Sequence, residues 1–430
     1  MGKMLILFSL GLVVISIFFT TWVAGAAYVV NSLVQPQYIW PWVFEGFPIF
    51  KSTAGFAIVG LVFAVGRKDV SYIYFKNRQN LIICTLFGWM WLSHIFSPYK
   101  GSSVSVSPDI VLDTFLSIIV MYFVLLGIFQ KKKALEMLAA MFIFSCVFYT
   151  IWANYQYFSG QWHMFVNERL VGPFGSPYGD ANVLSTLLVM GLPFVILYYF
   201  RTKLVINKLI IILFLPFVWH AIILFSSRGA LLASALIFPL LALAIRSKIA
   251  NYLLGLAFLI FLFFQGAVLL DRTTSTIEMA SQSAGEPLNP RLVSWSAAIQ
   301  LIAEFPLLGV GVQMFEAGVD DKLSGITPHV AHNTLLNFAA NCGIPAGALF
   351  FVLIFMSVKR FMIRIRNEFS LEKIEDYVLL ASSISVVGFF FCSIFLDLII
   401  FEPFYIMIMI NLICWIRYSH SFDGLKKVTK

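Results

Sequence analysis

The sequence has little charge: Asp, Glu, Lys and Arg make up only 12% of its 430 residues. Soluble domains carry roughly a quarter, so a soluble enzyme of two or three domains is excluded. Its five cysteines (Cys84, Cys146, Cys342, Cys392 and Cys414) are scattered in or beside apolar runs with no CxxC pair. Such a set predicts neither a disulfide framework nor a metal site. There is no tandem repeat, no low-complexity tract and no visible soluble nucleotide-sugar fold. What is abundant is apolar: 60% of residues are hydrophobic, 45 are Phe, and mean hydropathy is +0.90. Several runs reach the roughly 20 residues that cross a hydrocarbon core, and Trp and Tyr gather at their ends as an interfacial belt would place them.

These features predict an all-α polytopic membrane protein with about twelve transmembrane helices, at 4–28, 47–66, 80–97, 110–130, 134–157, 180–200, 205–225, 229–245, 249–270, 330–357, 377–396 and 398–417. Ala24-Gly25-Ala26 is similar to a signal-peptidase site, but the run is long for a signal peptide, so retention is expected. With a cytoplasmic N-terminus, 22 of the 29 Lys and Arg fall inside, including Lys131-Lys132-Lys133 and the Lys359–Lys373 connector. Every inside connector is then basic, as the positive-inside rule asks. The arrangement predicts a plasma-membrane protein with both termini cytoplasmic and its inside clusters acting as topology determinants, with a weak pull on anionic lipid. No nucleic-acid footprint is visible. Only Lys51, Lys100, Arg169, Arg228, Arg272, Arg291 and Lys322 fall outside, among about 14 of the 21 acidic residues.

Two outside segments are long. One, at about 154–180, ends in the turn-rich Gly172-Pro173-Phe174-Gly175-Ser176-Pro177-Tyr178-Gly179-Asp180. The other, Asp271–His329, begins as a polar Ser/Thr-rich loop. It continues as an amphipathic helix over Arg291–Glu304, with Leu292, Trp295, Ala298, Ile299 and Ile302 at helical spacing after Pro290. Glu304-Phe305-Pro306-Leu307-Leu308-Gly309-Val310-Gly311 follows, a Pro/Gly-broken apolar turn that dips back toward the interface.

Three outside residues invite a specific explanation. Arg228 lies at the outer junction of the seventh and eighth spans, Arg291 starts the amphipathic helix, and His332 sits with Asn333 at the mouth of the tenth. Each has a plainer alternative: a snorkelling arginine, a solvated face charge, a satisfied interfacial histidine. Arginine, however, presents a planar fork that pairs bidentately with phosphate. Histidine accepts a proton near neutral pH. Together they suggest transfer from a lipid-linked phosphate donor to an alcohol. No outside Asp-x-Asp metal motif accompanies them, since Asp320-Asp321 has the wrong spacing.

At Ser227-Arg228-Gly229-Ala230, Arg291 through Trp295, Glu304 through Gly311, and His332-Asn333 with Gly343 after nine residues, the sequence resembles the O-antigen ligase and O-antigen polymerase superfamily over roughly 205–357. Arg169, Gly172-Pro173-Phe174 and Gly179-Asp180-Ala181-Asn182 resemble the family's upstream segment, although the family usually has Asp-Pro-Asn where this chain has Asp-Ala-Asn. Another departure is Ala346, where a small residue after the first glycine is common, with Gly347 next. The resemblance implies that Arg228 and Arg291 bind the pyrophosphate of an undecaprenyl-linked glycan donor and that His332 assists the acceptor hydroxyl. It also places Arg169, Asp180, Asn182 and Asn333 on the substrate-binding side. The implied enzyme is a metal-independent, inverting glycosyltransferase without cofactor, active at the periplasmic face of the bacterial inner membrane, with lipid A-core or another glycan as acceptor.

The resulting division is an N-terminal part (1–204), a family-like catalytic region (205–357) containing the loop 271–329, and a C-terminal part (358–430). Ligation to lipid A-core is favoured slightly over repeat-unit polymerisation by the compact length and single long loop. A lipid-linked glycan transporter is the alternative of a different class, but the ionisable outliers gather at one face rather than the midplane.

Overall fold

The computed structural model describes residues 2–257, 259–260, 263, 290–322 and 330–428. Asp271–Asn289 and His329 lie outside them. The long helices are α1 (Gly2–Ile17), α2 (Trp22–Val34), α5 (Ile49–Gly66), α6 (Arg78–Ile95), α7 (Pro108–Ile128), α8 (Lys132–Phe158), α9 (Ala181–Arg201), α10 (Val205–Phe225) and α11 (Arg228–Ala244). After α12 (248–257) come α13 (Pro290–Glu304), the short α14 (Phe315–Lys322), α15 (Thr334–Arg366), α16 (Ile374–Ser393) and α17 (Glu402–Val428). Two single turns, α3 (Pro36–Ile39) and α4 (Pro41–Phe44), and a hairpin of β1 (Phe165–Val166) with β2 (Arg169–Leu170) complete the described fold. Seven of these helices are long and apolar enough to cross a membrane, judged by length and composition: α5, α7, α8, α9, α10, α15 and α16. The protein is thus polytopic and helical, and the amphipathic helix expected at Arg291–Glu304 is α13.

The expected first span is two helices. α1 ends at Ile17 and α2 begins at Trp22, with Thr20-Thr21 in the turn between them. A helix end leaves carbonyls that need donors, and Arg67 donates to the Phe18 carbonyl (2.5 Å). Leu10 and Val13 then face Val23, Ala27 and Asn31 as α1 runs back beside α2. The start of α1 therefore points away from Arg67, a departure from the expected single crossing of 4–28.

α16 is the central helix, packed against α9, α11, α15 and α17 and buried over most of its length. Small residues permit this: Gly388 meets Val189 and Ile237, and the Ser385 hydroxyl donates to the Met190 carbonyl (2.6 Å). The Lys359–Lys373 segment is more than a solvated basic connector. α15 runs on to Arg366, and Arg360 and Arg364 are buried. Arg364 grips Asp376 of α16 through two 2.7 Å bonds. Arg360 donates to Gln79 of α6 (2.7 Å) and Asn411 of α17 (3.0 Å).

α15 is broken at Gly343 (φ 83°, ψ 166°), and the break has a sequence cause. Pro345 has no N–H, so the Asn341 carbonyl loses its helical donor, and the turn at Gly343 strips the Ala340 carbonyl of its own. The Pro/Gly segment after α13 supplies both: Val310 N–H donates to Ala340 (3.0 Å) and Gly311 N–H to Asn341 (2.8 Å). In return Ile344 N–H donates to the Pro306 carbonyl (2.8 Å). Ser93 and Trp89 of α6 add bonds to the Asn341 and Cys342 carbonyls (both 2.9 Å). A Cβ on Gly343 would lie 1.9 Å from the Leu307 oxygen. Gly343→Ala is therefore expected to destabilise the protein by more than the ~1–3 kcal/mol of a strained backbone position alone. Thermal melts in detergent check this, with Gly88→Ala as the neutral control, since nothing lies within 4 Å of a Cβ there.

Candidate functional site

The polar ends of several helices meet at one end of the bundle. Asp180 caps α9, its Oδ1 accepting from Asn182 N–H (2.6 Å) and Val183 N–H (3.3 Å). Asn167 and Glu168 both have positive φ (49° and 61°) between paired Val166 and Arg169, as a two-residue hairpin turn requires. The turn aims Arg169 at the bundle, where it donates to the Phe225 carbonyl (3.2 Å) and to Asn182 Oδ1 (2.8 Å). Ser226, in the left-handed region (φ 50°), and Ser227 alone separate α10 from α11. The Ser227 hydroxyl accepts from Ala230 N–H (3.4 Å), so Arg228 is the first helical residue. Arg291 is the second residue of α13, and Asn333 caps α15 by accepting from Leu336 N–H (3.1 Å). His332, just before that cap, has φ 48°.

Residues far apart in sequence thus share one electrostatic neighbourhood. Burial lowers the Arg291 pKa from its ordinary value, the charges of Arg228 and then Arg169 lower it further, and Asp180 opposes them. The His332 pKa is lowered too, first by burial and then by Arg291, with Asp180 again opposing. His332 reaches solvent on one side, but the protein on its other sides disfavours the imidazolium. Burial and Arg291 both favour the neutral imidazole. Asp180 caps α9, Arg228 and Arg291 lie in the first turns of α11 and α13, and His332 precedes the cap of α15. The residues of this neighbourhood thus bring four helix N-termini with them, the positive ends of four backbone dipoles.

All three expected arginines, Asp180 and His332 therefore come together. Asn182 and Asn333 each use their amide oxygen within the protein, one holding Arg169 and the other capping α15. Asn333 makes no hydrogen bond to His332 among the described residues, so its amide does not set the imidazole tautomer. Phe395, in the connector after α16, was not legible. It lies under the Arg291 guanidinium (5.9 Å to the ring centre) and beside Trp295 (6.1 Å), and a Cβ on Gly229 would sit 3.1 Å from its Cδ2. One phenylalanine among 45 carries no local signal. Among the described residues no three His, Cys, Asp or Glu side chains come together as a metal site.

A polytopic helical protein with a cationic cluster and a neutral histidine at one end of the bundle is the class this geometry defines. Residues 209–351 match the family model described as O-antigen ligase, so the chain carries an O-antigen ligase family domain, as the motifs implied. No curated protein matches the chain. Arg228, Arg291, His332 and Gly343 fall within the matched residues. Arg169, Asp180 and Phe395 lie outside them and are brought to the site by folding.

The shared neighbourhood has a direct test in the His332 titration, followed by NMR and assigned by loss of its signal in His332→Ala. Arg291→Gln is expected to raise the His332 pKa and Asp180→Asn to lower it. No change in either variant would separate these residues.

Proposed function

We propose that the chain is a membrane glycosyltransferase that moves a glycan from an undecaprenyl-pyrophosphate donor to an acceptor hydroxyl at the periplasmic face, with lipid A-core as the acceptor. The observation that carries this reading is the convergence of Arg169, Arg228 and Arg291 with the positive ends of four helices. Helix N-termini and arginine forks both suit phosphate oxygens, and the cluster gathers residues from inside and outside the family region.

The chemistry follows from that charge. As the C1–O bond to the pyrophosphate breaks, negative charge grows on the leaving group, and fixed guanidinium groups stabilise it more than they stabilise the ground state. The acceptor oxygen attacks C1 from the opposite face, giving inversion, and its proton passes to the neutral imidazole of His332. Asn182 keeps Arg169 oriented, and the Phe395 ring does the same for Arg291 through a cation–π contact. The activated donor supplies the driving force, so no nucleotide is required, and the guanidinium groups take the place of a divalent metal at the leaving group.

In vitro transfer from an undecaprenyl-linked glycan to purified acceptor, with EDTA present, tests each role. Arg228→Lys and Arg291→Lys are expected to lose most activity at matched protein level, because a point charge does not replace a planar fork. Wild-type transfer by Arg228→Lys would leave that residue a snorkelling arginine. His332→Ala is expected to fall by about 10²–10⁴-fold. Because catalysis needs the neutral ring and its pKa is lowered, wild-type activity should persist below the ordinary histidine value of about 6.5 and fall only at lower pH. Loss of wild-type transfer in EDTA would overturn the metal-free route. Surface glycan from a deletion strain assigns the acceptor: accumulated long lipid-linked polymer supports ligation, whereas surface lipid capped by one repeat would make the enzyme a polymerase.

Sidedness is tested by cysteine labelling in intact cells. Cysteine at the exposed Ser103, in the α6–α7 connector, is expected to react with an impermeant reagent. Cysteine at Lys133 is expected to react only after the inner membrane is permeabilised, and the reverse pattern would place the site in the cytoplasm.

A further inference from the structure

At the end of the bundle opposite the arginine cluster, a crevice of about 610 Å³ runs between α8, α9 and α16. One wall is a single face of α8, with Glu136, Ala140, Ile143, Phe144 and Val147 at helical spacing, and the other carries Tyr198 and Tyr377. From Glu136 to Val147 the helix rises about 16 Å, close to half of a hydrocarbon core about 30 Å thick. The crevice is one leaflet deep.

Its lower end opens into a polar basin of about 1010 Å³, and Glu136, Arg201 and Ile374 line both. Arg201 is held at the junction. Its guanidinium lies 5.4 Å from the Tyr377 ring centre, donates to the Leu371 (3.1 Å) and Glu372 (2.6 Å) carbonyls, and faces Glu136 at 3.5 Å. A guanidinium has more donors than these bonds use.

The basin's charges mostly pair internally: Lys132 with Glu375 (3.5 Å), Arg364 with Asp376 (2.7 Å), and Glu372 with Lys203 (3.1 Å). Lys373 and Glu368 line the basin without an ion pair among the described residues, one charge of each sign. A purely anionic headgroup would face Glu136, Glu368 and Glu372. A headgroup with both a phosphate and an ammonium meets a partner for each.

From this juxtaposition of a leaflet-deep apolar crevice with a mixed-charge basin, we propose that the protein binds one phospholipid with an ethanolamine-type zwitterionic headgroup. Its acyl chain lies along Ala140, Ile143 and Val147, its phosphate meets Arg201 and Lys373, and its ammonium meets Glu136 and Glu368. The site is separate from the proposed catalytic end, and its occupancy does not depend on the glycosyltransferase reading.

The test uses full-length protein reconstituted in nanodiscs of equimolar phosphatidylethanolamine and phosphatidylglycerol, released into detergent and examined by native mass spectrometry. One phosphatidylethanolamine per chain is expected to be retained. Ala140→Phe, at an exposed position that fills the crevice without changing charge, is expected to lower its occupancy at least tenfold. Glu368→Lys, on the exposed rim, is expected to shift retention toward phosphatidylglycerol. An unchanged melting temperature in each variant separates lost binding from lost folding, and the two rim and crevice substitutions give independent readings. Preferential retention of phosphatidylglycerol by the wild type, or equal lipid retention by wild type and Ala140→Phe, overturns the proposal.

Discussion

The break in α15 at Gly343 is the constraint on which the site's geometry depends. In lipid a helix cannot leave carbonyls without donors, and Pro345 guarantees that α15 does so at Asn341. The donors come from Val310 and Gly311, so the segment after α13 must lie against this turn. That docking holds α13, which carries Arg291, beside the start of α15, which His332 precedes by two residues. Asn341 adds its side chain, accepting from Phe315 N–H (3.0 Å) and so anchoring α14 as well. The loop thereby acquires a rigid seat at the mouth of a span. Loops carry functional residues where a rigid scaffold positions them in this way.

Around that seat the protein accumulates like charge. Burial and like charge both lower the Arg291 pKa, the latter through Arg228 and Arg169, and burial and Arg291 lower that of His332. Asp180 is the counterweight: it caps α9 and sits close enough to oppose the shift on both residues. Fixed positive charge of this kind is unfavourable to the empty protein and favourable to a bound anion, which is how a preorganised site works. Phe395 contributes differently, as a flat apolar surface that lets the guanidinium approach without competing for its hydrogen bonds.

At the opposite end of the bundle the buried charges are resolved internally. Arg364 and Asp376 form a bidentate pair, and Arg360 is satisfied by the amides of Gln79 and Asn411 rather than by a carboxylate. Asn411 in turn donates to Ser382 (3.0 Å) and Ser383 (2.8 Å) of α16. A buried arginine bonded only to neutral groups ties α6, α15, α16 and α17 into one body, and removing any one amide would leave a buried charge short of partners.

The sequence alone determined the class of protein and singled out the residues from which the proposed site is built. Scarce charge and apolar runs of about 20 residues require membrane helices, because a helix satisfies its backbone groups within one run and a barrel strand needs only about half that length. Isolated arginines and a histidine at the ends of such runs are expensive unless they act, so Arg228, Arg291 and His332 could be singled out from local context. The helical spacing of Leu292, Trp295 and Ile299 placed α13 but not its buried face, which is Ser294, Ala297, Ala298 and Leu301 while Leu292 and Ile299 are exposed. Tertiary structure decided what depends on neighbours remote in the chain. The turn at 18–21 is visible only once Arg67 supplies its donor, and Arg360 reads as a surface cation until α6 and α17 close over it. That the Asn182 amide oxygen holds Arg169 and the Asn333 amide oxygen caps α15 is likewise set by the fold. Phe395 has no local mark at all, since its part in the site is a distance to Arg291, and a distance between residues far apart in sequence is set by packing rather than by local pattern.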